Sequence, residues 1–307
     1  MSSDVVYHIA NHDWRMTPSG EPRGYIQPTD LRELWFHTGS VCNLECPFCF
    51  EGSHPGDNRI GLLTFDDFRP FAEEAIGLSV QQFSFTGGEP FVNRDIVRML
   101  DYSLDFCETL VLTNGTKPLA SRLDELVALT KKPHKVSFRV SLDYPDAQRH
   151  DSGRGKGSFD AALSSLAELH RMGFGVSIAR LASAKERTEE IERVFRSILK
   201  NAGLPDDLYI AAFPDYAAPG SKRDVPDITE NCMATFKTEQ DRTGFMCSYS
   251  KMVAKTNGAV GVVACTLVDD DPDYMLGRTL TSARSVRIML RHHRCFACFS
   301  VGATCSE

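Results

Sequence analysis

Three cysteines stand close together in the run Cys-Asn-Leu-Glu-Cys-Pro-Phe-Cys, at Cys42, Cys46 and Cys49. Closely spaced soft thiolates select iron–sulfur clusters or zinc. Three thiolates can hold three corners of a cubane cluster and leave the fourth iron open. A structural zinc site normally closes its fourth position with a nearby Cys or His, and the next histidine, His54, follows Gly52. The spacing favours an open-iron cluster, with a zinc site or three unrelated buried cysteines as the alternatives.

Three further segments follow the cysteines: Thr86-Gly87-Gly88-Glu89-Pro90, Leu112-Thr113-Asn114-Gly115 and Val140-Ser141-Leu142-Asp143. The cysteine run also fits the pattern Cys-x3-Cys-x-aromatic-Cys, in which Phe48 is the aromatic residue. In this order, the four motifs resemble those of the radical S-adenosylmethionine (SAM) enzymes, over roughly residues 32–215. The resemblance implies a [4Fe–4S] cluster that chelates SAM and cleaves it reductively to a 5′-deoxyadenosyl radical.

The resemblance also implies a set of SAM-contacting residues. They are Phe48, Gly87, Gly88, Glu89, Pro90, Asn114, Ser141, Asp143, Arg154 and Arg180. The two glycines carry no Cβ, so we expect their backbone to come close to the methionine moiety. Glu89 can accept a hydrogen bond from the amino group of SAM or brace the loop. Arg154 and Arg180 are candidates for the SAM carboxylate, and a solvated surface arginine is the alternative at each position.

A second group of cysteines lies near the C-terminus. It consists of Cys247, Cys265, Cys295, Cys298 and Cys305, with Cys232 ahead of them. The group resembles the SPASM extension of the radical SAM family, or its shortened twitch form, which carries auxiliary cubane clusters. Because the distal cysteines of a two-cluster SPASM are missing, we expect one auxiliary [4Fe–4S] cluster on the first four, with Cys305 as a replacement or spare. A four-cysteine zinc site fits the same spacing.

The pattern between residues 32 and 213 predicts an α/β fold. Short β-branched or aromatic runs alternate with amphipathic ones, as in repeated βα units with a parallel sheet. We predict six strands: Glu33–His37, Gln81–Thr86, Thr109–Thr113, Lys135–Leu142, Phe174–Arg180 and Leu208–Phe213. We predict helices opened by Thr64, Asn93, Ser158 and Thr188. Six such units match the partial (β/α)6 barrel of the radical SAM family. In such sheets, site residues gather at the carboxyl ends of the strands.

The C-terminal part has a different character. We expect an N-terminal extension over 1–31, the barrel over 32–215 and a small cysteine-rich extension over 216–307. Within that extension we predict a linker or substrate-side loop up to residue 231, a β-hairpin around Asn257-Gly258 and a helix over Leu280–His292. We interpret the acidic run at 269–273 as a solvated loop, and the basic run at 291–294 as a helix C-terminus.

Composition excludes several functional classes. The chain has 307 residues, a net charge of −7 and 10 cysteines. Without clustered basic residues, nucleic acid is not expected as a partner. Apolar runs are too short to cross a bilayer, and the first residues do not look like a secretory signal. We therefore expect a cytoplasmic protein whose cysteines bind metal rather than form disulfides; Cys107 is interpreted as an inert core thiol.

These features predict a radical SAM enzyme that abstracts hydrogen from a small molecule or a peptide. An oxidative or bond-forming outcome fits an auxiliary cluster, which would accept an electron or anchor the substrate. The alternatives are an isomerase or epimerase that recycles the radical, and a non-catalytic iron–sulfur or zinc protein on the same barrel. A reducing partner such as flavodoxin or ferredoxin is implied by the chemistry.

Overall fold

All six predicted strands form, each within two residues of its expected bounds. A computed structural model describes residues 12–182 and 188–302. Its strands are β1 (Tyr25–Ile26), β2 (Glu33–His37), β3 (Gln82–Thr86), β4 (Glu108–Thr113), β5 (Val136–Ser141), β6 (Gly175–Leu181), β7 (Ile210–Phe213), β8 (Ser250–Thr256), β9 (Ala259–Val263), β10 (Met275–Gly277) and β11 (Ile288–Met289). β1 pairs with β11 in a sheet of their own.

The other nine strands form one sheet in the order β10-β9-β8-β2-β3-β4-β5-β6-β7. Strands β2 to β7 are parallel and make the predicted six-stranded partial barrel. β8 runs parallel to β2 on its other side, and β9 returns antiparallel to β8. Within the described residues the sheet does not close, because β7 and β10 remain its edges. The hairpin of the cysteine-rich region thus extends the barrel sheet itself.

Helices connect and flank these strands. They are α1 (Phe65–Gly77), α2 (Ile96–Ser103), α3 (Lys117–Ala120), α4 (Leu123–Leu126), α5 (Ala147–Arg154), α6 (Ser158–Arg171), α7 (Thr188–Asn201), α8 (Glu230–Phe236), α9 (Glu239–Thr243), α10 (Met246–Tyr249), α11 (Leu280–Ala283) and α12 (His293–Val301). Short 3-10 helices lie at His12–Arg15, Pro90–Val92, Val127–Lys131 and Pro272–Tyr274. No helix in the described part of the chain is long and apolar enough to cross a membrane.

The two faces of β2 show how the core and the site are divided. Phe36 packs on Phe68 of α1, with ring centroids 4.6 Å apart, so this face builds the helix–sheet core. Side chains alternate along a strand, and Trp35 therefore points to the opposite face, into the barrel. α1 itself begins as predicted, because Thr64 and Asp67 form a reciprocal capping box.

The predicted start of the second helix at Asn93 is wrong. α2 begins at Ile96, with Asp95 at the N-cap position. The Asn93 amide instead donates to the carbonyls of Thr38 (2.8 Å) and Leu63 (2.7 Å). The Asn93 Nδ2 therefore bridges the segments before and after the cysteine loop, while its Oδ1 accepts from the Asp95 N–H (2.9 Å), one residue before α2 begins.

The hairpin turn at Asn257-Gly258 is confirmed. Both residues have positive φ (51° and 78°), which is the backbone of the tight two-residue turn that Asn-Gly favours. The helix predicted over Leu280–His292 is wrong: α11 covers only Leu280–Ala283, and Ile288 and Met289 form β11. Their strand partner, β1, precedes the barrel in the chain. The sequence around Ile288 and Met289 alone therefore could not predict this strand.

The charged runs near the C-terminus are also not as predicted. Asp269 is buried and pairs with Arg59 at 2.7 Å, so the acidic run is more than a solvated loop. The basic run lies at the start of α12, not at a helix C-terminus. Arg294 is fully buried within it.

Tyr274 holds the chain before α12. Its hydroxyl donates to the Met289 carbonyl (2.8 Å) and accepts from the backbone N–H groups of Arg291 and His292. Tyr274→Phe removes these three hydrogen bonds, although the Arg291 N–H keeps its second acceptor, the Met289 carbonyl (2.9 Å). We therefore expect the variant to lower stability by about 1–3 kcal/mol. Thermal unfolding of the anaerobic protein measures this loss. Tyr209→Phe, at a half-exposed tyrosine, is the control, and an equal melting temperature for both variants would contradict the assignment.

Candidate active site

A cavity of about 180 Å³ lies among the strand ends of the partial barrel. It is lined by all three cysteines of the first group, Cys42, Cys46 and Cys49, and by eight predicted SAM-contacting residues: Phe48, Gly87, Gly88, Asn114, Ser141, Asp143, Arg154 and Arg180. The other two, Glu89 and Pro90, are buried but do not line it. Residues far apart in sequence thus converge on one space, as the carboxyl ends of parallel strands require.

The three thiols sit on a loop that has no helix or strand between His37 and Phe65. Burial raises the pKa of the Cys42 thiol to about 11 and raises those of Cys46 and Cys49 as well. Such thiols stay protonated at neutral pH unless a cation compensates the thiolate charge. Three thiols on one cavity wall therefore suit a metal centre, which binds thiolates and releases protons.

The structure adds a second reason for glycine at positions 87 and 88. A Cβ on Gly88 would lie 2.4 Å from the carbonyl oxygens of Ser40 and Val41, and one on Gly87 would lie 2.6 Å from the Gly39 oxygen. Gly88 and Glu89 also donate backbone hydrogen bonds to the loop, the first to Gly39 (2.9 Å). The glycines therefore let the end of β3 touch the cysteine loop, and both also line the cavity.

Glu89 holds the ends of β3 and β4 together. Its carboxylate accepts from Thr113 Oγ1 (2.8 Å) and from the backbone N–H groups of Asn114 (2.7 Å) and Phe91 (3.1 Å). Burial raises the pKa of Glu89 to about 7, although these hydrogen bonds favour the carboxylate. Of the two roles predicted for Glu89, the contacts support the bracing role: the carboxylate ties the ends of β3 and β4 together.

Asn114 connects the end of β4 to the cysteine loop. Its Nδ2 donates to Asn43 Oδ1 at 3.0 Å and lies 3.7 Å from the Cys42 sulfur. Its Oδ1 accepts from the hydroxyl of Thr116 (2.6 Å), and Thr116 in turn accepts from Asn43. The amide is thus fixed in orientation beside a thiol, where a donor stabilises negative charge on sulfur.

Arg154 and Asp143 form an ion pair on the cavity wall. Arg154 Nε lies 2.5 Å from Asp143 Oδ2, and the guanidinium lies 5.5 Å from the centre of the Phe48 ring. Burial disfavours the charged guanidinium, but Asp143 outweighs this and raises the pKa of Arg154. The backbone N–H of Leu181 donates to Asp143 Oδ1 (3.0 Å). Arg154 is therefore an oriented cation close to Cys46 and Cys49, not a solvated surface residue.

Arg180 is also buried rather than solvated. It stands on β6, and its Nη1 donates to the Leu181 carbonyl at 3.3 Å. Ser141 ends β5 beside it, paired in register with Ala179. Arg180 and Ser141 both line the cavity.

Sequence reasoning missed an apolar part of the lining. Its members are Trp35, Phe50, Leu112, Ala179, Leu181, Phe213, Pro214 and Tyr216. Most occupy inward-facing strand positions or the first residues after a strand. The period-two alternation of β2 and β4 separates Trp35 and Leu112 from their sequence neighbours, but it does not tell which face of the sheet turns inward. The Trp35 Nε1 and Ser53 Oγ atoms are buried without a hydrogen-bond partner among the described residues, so a bound molecule could satisfy both.

Four cysteines of the second group also converge. Cys247, Cys265, Cys295 and Cys298 line one small cavity of about 20 Å³. Cys247 belongs to α10, Cys265 follows β9, and the last two lie on α12 at positions i and i+3, which share a helix face. Burial raises the pKa of Cys247 and brings that of Cys295 to about 12. Cys305 lies outside the described residues.

Lys251 is a cation close to Cys247 and Cys265 of this second group. It is fully buried, and its ammonium donates to the carbonyls of Cys247 (2.8 Å) and Ser250 (2.9 Å). Burial lowers the pKa of Lys251 to about 8, against the attraction of Cys247 and Cys265. A positive charge here favours thiolates. Cys107, far from both groups in the sequence, is a buried thiol with a pKa raised to about 12 by burial.

The model of the radical SAM superfamily matches residues 37–198. The chain belongs to the radical SAM superfamily. Enzymes of this superfamily use a [4Fe–4S] cluster and SAM as cofactors, and the three thiols of the first group fit such a cluster. When bound, the cluster supplies the electron that cleaves SAM to methionine and a 5′-deoxyadenosyl radical. The matched residues include all three thiols of the first group and every predicted SAM-contacting residue.

Curated relatives match about half of this chain in sequence. The antilisterial bacteriocin subtilosin biosynthesis protein AlbA of Bacillus subtilis is 33% identical over 150 residues, covering 48% of this chain and 32% of AlbA. The AdoMet-dependent heme synthase of Methanosarcina barkeri is 30% identical over 50% of this chain and 43% of its own length. The mycofactocin maturase MftC of Mycolicibacterium smegmatis is 28% identical over 50% of this chain and 38% of MftC. The matches thus span less than half of each relative.

Solved structures extend the likeness to most of the fold. Streptococcus suis SuiB bound to S-adenosylmethionine superposes with a TM-score of 0.60 at 15% identity, over 81% of this chain and 63% of SuiB. Native anSMEcpe with bound AdoMet gives 0.57 at 14% identity, over 80% of this chain and 77% of that one. At such low identity the similarity concerns the fold, and it extends beyond the residues that the family model matches.

The contact between Gly88 and the cysteine loop gives a direct test. Gly88→Ala places a methyl group against two backbone carbonyls, so the loop must move and the thiols with it. We expect the variant to lose most of its iron at the first site and to bind SAM weakly. Iron counting after anaerobic reconstitution, with SAM titration, measures both. Gly77→Ala, where a Cβ meets nothing within 4 Å, is the control; full iron loading of Gly88→Ala would contradict this account.

Proposed function

We propose that this radical SAM enzyme abstracts hydrogen from a peptide substrate and completes an oxidative or bond-forming modification with an auxiliary [4Fe–4S] cluster. The observation that carries the proposal is the pair of cysteine sites: three thiols on the main cavity and four thiols on a second one. A three-thiol site leaves a metal position open for a ligand, whereas a four-thiol site is closed. The first would therefore react, and the second would transfer an electron or anchor the substrate.

Each predicted SAM contact has a physical role in this proposal. Cys42, Cys46 and Cys49 would hold the reactive cluster. Arg154, kept in place by Asp143, offers the fixed positive charge that a SAM carboxylate needs. The Phe48 face would meet adenine. These side chains hold and orient SAM, and the buried cavity excludes water from the radical.

The apolar part of the cavity favours an apolar side chain of the substrate as the group from which hydrogen is abstracted. Trp35, Leu112 and Phe213 would surround it, and the Trp35 N–H would donate to a polar atom of the substrate. Among the relatives, AlbA is named for the biosynthesis of a bacteriocin, whereas the AdoMet-dependent heme synthase is named for a small-molecule product. The apolar lining favours the peptide over a charged small molecule. A small reducing protein such as flavodoxin or ferredoxin would supply the electron.

Removal of one thiol tests the first site. We expect Cys42→Ala, Cys46→Ala and Cys49→Ala each to abolish 5′-deoxyadenosine formation from SAM and dithionite, because two thiolates do not retain the cluster. The product is measured by chromatography of anaerobic reactions. Cys107→Ala removes a buried thiol away from both sites and is the control. A tenfold loss of rate corresponds to an increase of roughly 1.4 kcal/mol in the activation barrier. A first-group variant that keeps more than about a tenth of the wild-type rate would contradict the cluster assignment.

Removal of two thiols on α12 tests the auxiliary site. We expect the double variant Cys295→Ala, Cys298→Ala to bind about four irons instead of about eight, since each cubane holds four. It should still form 5′-deoxyadenosine but should fail to complete turnover of the substrate. Iron and sulfide counting and mass spectrometry of the peptide are the measurements. The control is the double variant Cys107→Ala, Cys232→Ala; zinc in wild-type protein at this site would refute the auxiliary cluster and, with it, the oxidative outcome.

A further inference from the structure

Arg294 is a fully buried arginine on the wall of the second cysteine cavity, and no role has been assigned to it so far. Its guanidinium donates four hydrogen bonds, all to backbone carbonyls. The acceptors are Phe50 (2.8 Å), Ala217 (2.8 Å), Leu267 (3.1 Å) and Tyr216 (3.2 Å). None of these four carbonyls lies in a helix or strand, and Tyr216 and Ala217 are neighbours in one loop. One side chain thus connects three separate loops to the start of α12.

The position of these loops is informative. Phe50 follows Cys49 directly, and Leu267 lies two residues after Cys265. Arg294 itself precedes Cys295. One guanidinium therefore connects the loop with the first three thiols to two of the segments with the second four. A planar fork of five N–H groups can reach several carbonyls at once, whereas a lysine ammonium cannot reproduce this geometry.

A second tie runs beside the first. Arg59 Nη2 donates to the carbonyl (3.2 Å) and the carboxylate (3.0 Å) of Glu51, and its Nη1 donates to Asp269 (2.7 Å). Glu51 also pairs with His37 Nε2 at 3.1 Å. Burial disfavours the Glu51 carboxylate, but the charges of His37 and Arg59 outweigh it and lower the pKa of Glu51.

His37, Glu51 and Asp269 lie close enough together to suggest a metal site. The surrounding charges argue against it. Arg59 already bridges the two carboxylates, and Arg294 Nη1 lies 3.9 Å from Asp269 and 3.5 Å from Asp270. Two guanidinium groups neutralise this acidic cluster, and a divalent cation would be repelled by both. The cluster is therefore the counter-charge of the buried arginines.

We propose that Arg294 is a positioning residue that couples the two cysteine sites, so that the segment holding the auxiliary cluster sets the shape of the loop holding the SAM-binding cluster. The coupling rests on the proposed function, because it assigns clusters to both groups of thiols. Loss of the hydrogen bond to Phe50 would free the backbone beside Cys49 and shift that sulfur. Removal of an outer contact of this kind changes a metal site without removing any of its ligands.

The test compares Arg294→Lys with Arg291→Lys. Arg291 lies three residues earlier, is partly exposed and pairs with Asp271 and Asp273, so its replacement is the matched control. Each reconstituted protein is assayed for iron, for SAM binding by equilibrium titration, and for the electron paramagnetic resonance spectrum of the reduced SAM-binding cluster. For Arg294→Lys we expect near-complete iron, an altered spectrum and SAM binding weakened by about tenfold, the size typical of losing an outer-shell contact. Arg291→Lys should match wild type in all three.

A purely structural role for Arg294 would lower the melting temperature and leave the spectrum and the SAM affinity of the folded protein unchanged. That result overturns the proposal. If Arg294→Lys does not fold, Asp269→Asn replaces it, since this isosteric change weakens the same charge network from the other side. An unchanged spectrum in a folded Asp269→Asn protein would likewise overturn the coupling.

Failure of the proposed function is distinguishable from failure of the coupling. Zinc, or about four irons in place of about eight, in the wild-type protein refutes the auxiliary cluster, whatever the Arg294 variant does. Full iron in wild type together with an unperturbed Arg294→Lys spectrum refutes only the coupling. The spectrum of the Cys295→Ala, Cys298→Ala protein completes the comparison: coupling predicts that it too differs from wild type at the SAM-binding cluster.

Discussion

The site depends on the contacts that other elements make with a long irregular loop, in addition to the loop's own turns. Between His37 and Phe65 the chain forms no helix or strand, and yet three thiols must stand at fixed positions on it. Backbone groups without secondary structure have to find partners elsewhere. The end of β3 supplies them to Gly39 and Val41, and the guanidinium groups of Arg59 and Arg294 supply them to the loop after the last thiol. The geometry of the cysteines is therefore set by the surrounding elements.

Paired buried charges also hold the site in place. An unpaired charge inside a protein is costly, and each buried charge here has a partner that is also needed for geometry. Glu89 accepts three hydrogen bonds from the ends of neighbouring strands, and Arg154 faces Asp143. Because these groups hold one another in place, less of the binding energy of SAM would be lost to ordering them.

Sequence reasoning succeeded where the signal was local. Alternating apolar runs identified the six barrel strands, and residue types at fixed spacing identified the thiols. It failed where the partner was distant. The segment after Leu280 has helix-like composition, but its strand β11 depends on β1. Asp269 looks like part of a solvated run until Arg59 is placed beside it. The apolar cavity lining, such as Trp35, follows from which strand face turns inward, and that is decided by packing of the helices on the other face.

The direction of the strands places Cys42 and Cys247 toward opposite ends of one strand pair. β8 runs parallel to β2, with Ser250 opposite Glu33. Cys247 thus precedes the amino end of this strand pair, while Cys42 follows its carboxyl end. At about 3.3 Å per residue, the five residues of β2 separate these ends by roughly 16 Å. Strand pairing alone cannot relate sites at opposite ends of neighbouring strands. The buried guanidinium of Arg294 donates to the carbonyls of both Phe50 and Leu267, so in the proposed coupling it relates the two groups where strand pairing does not.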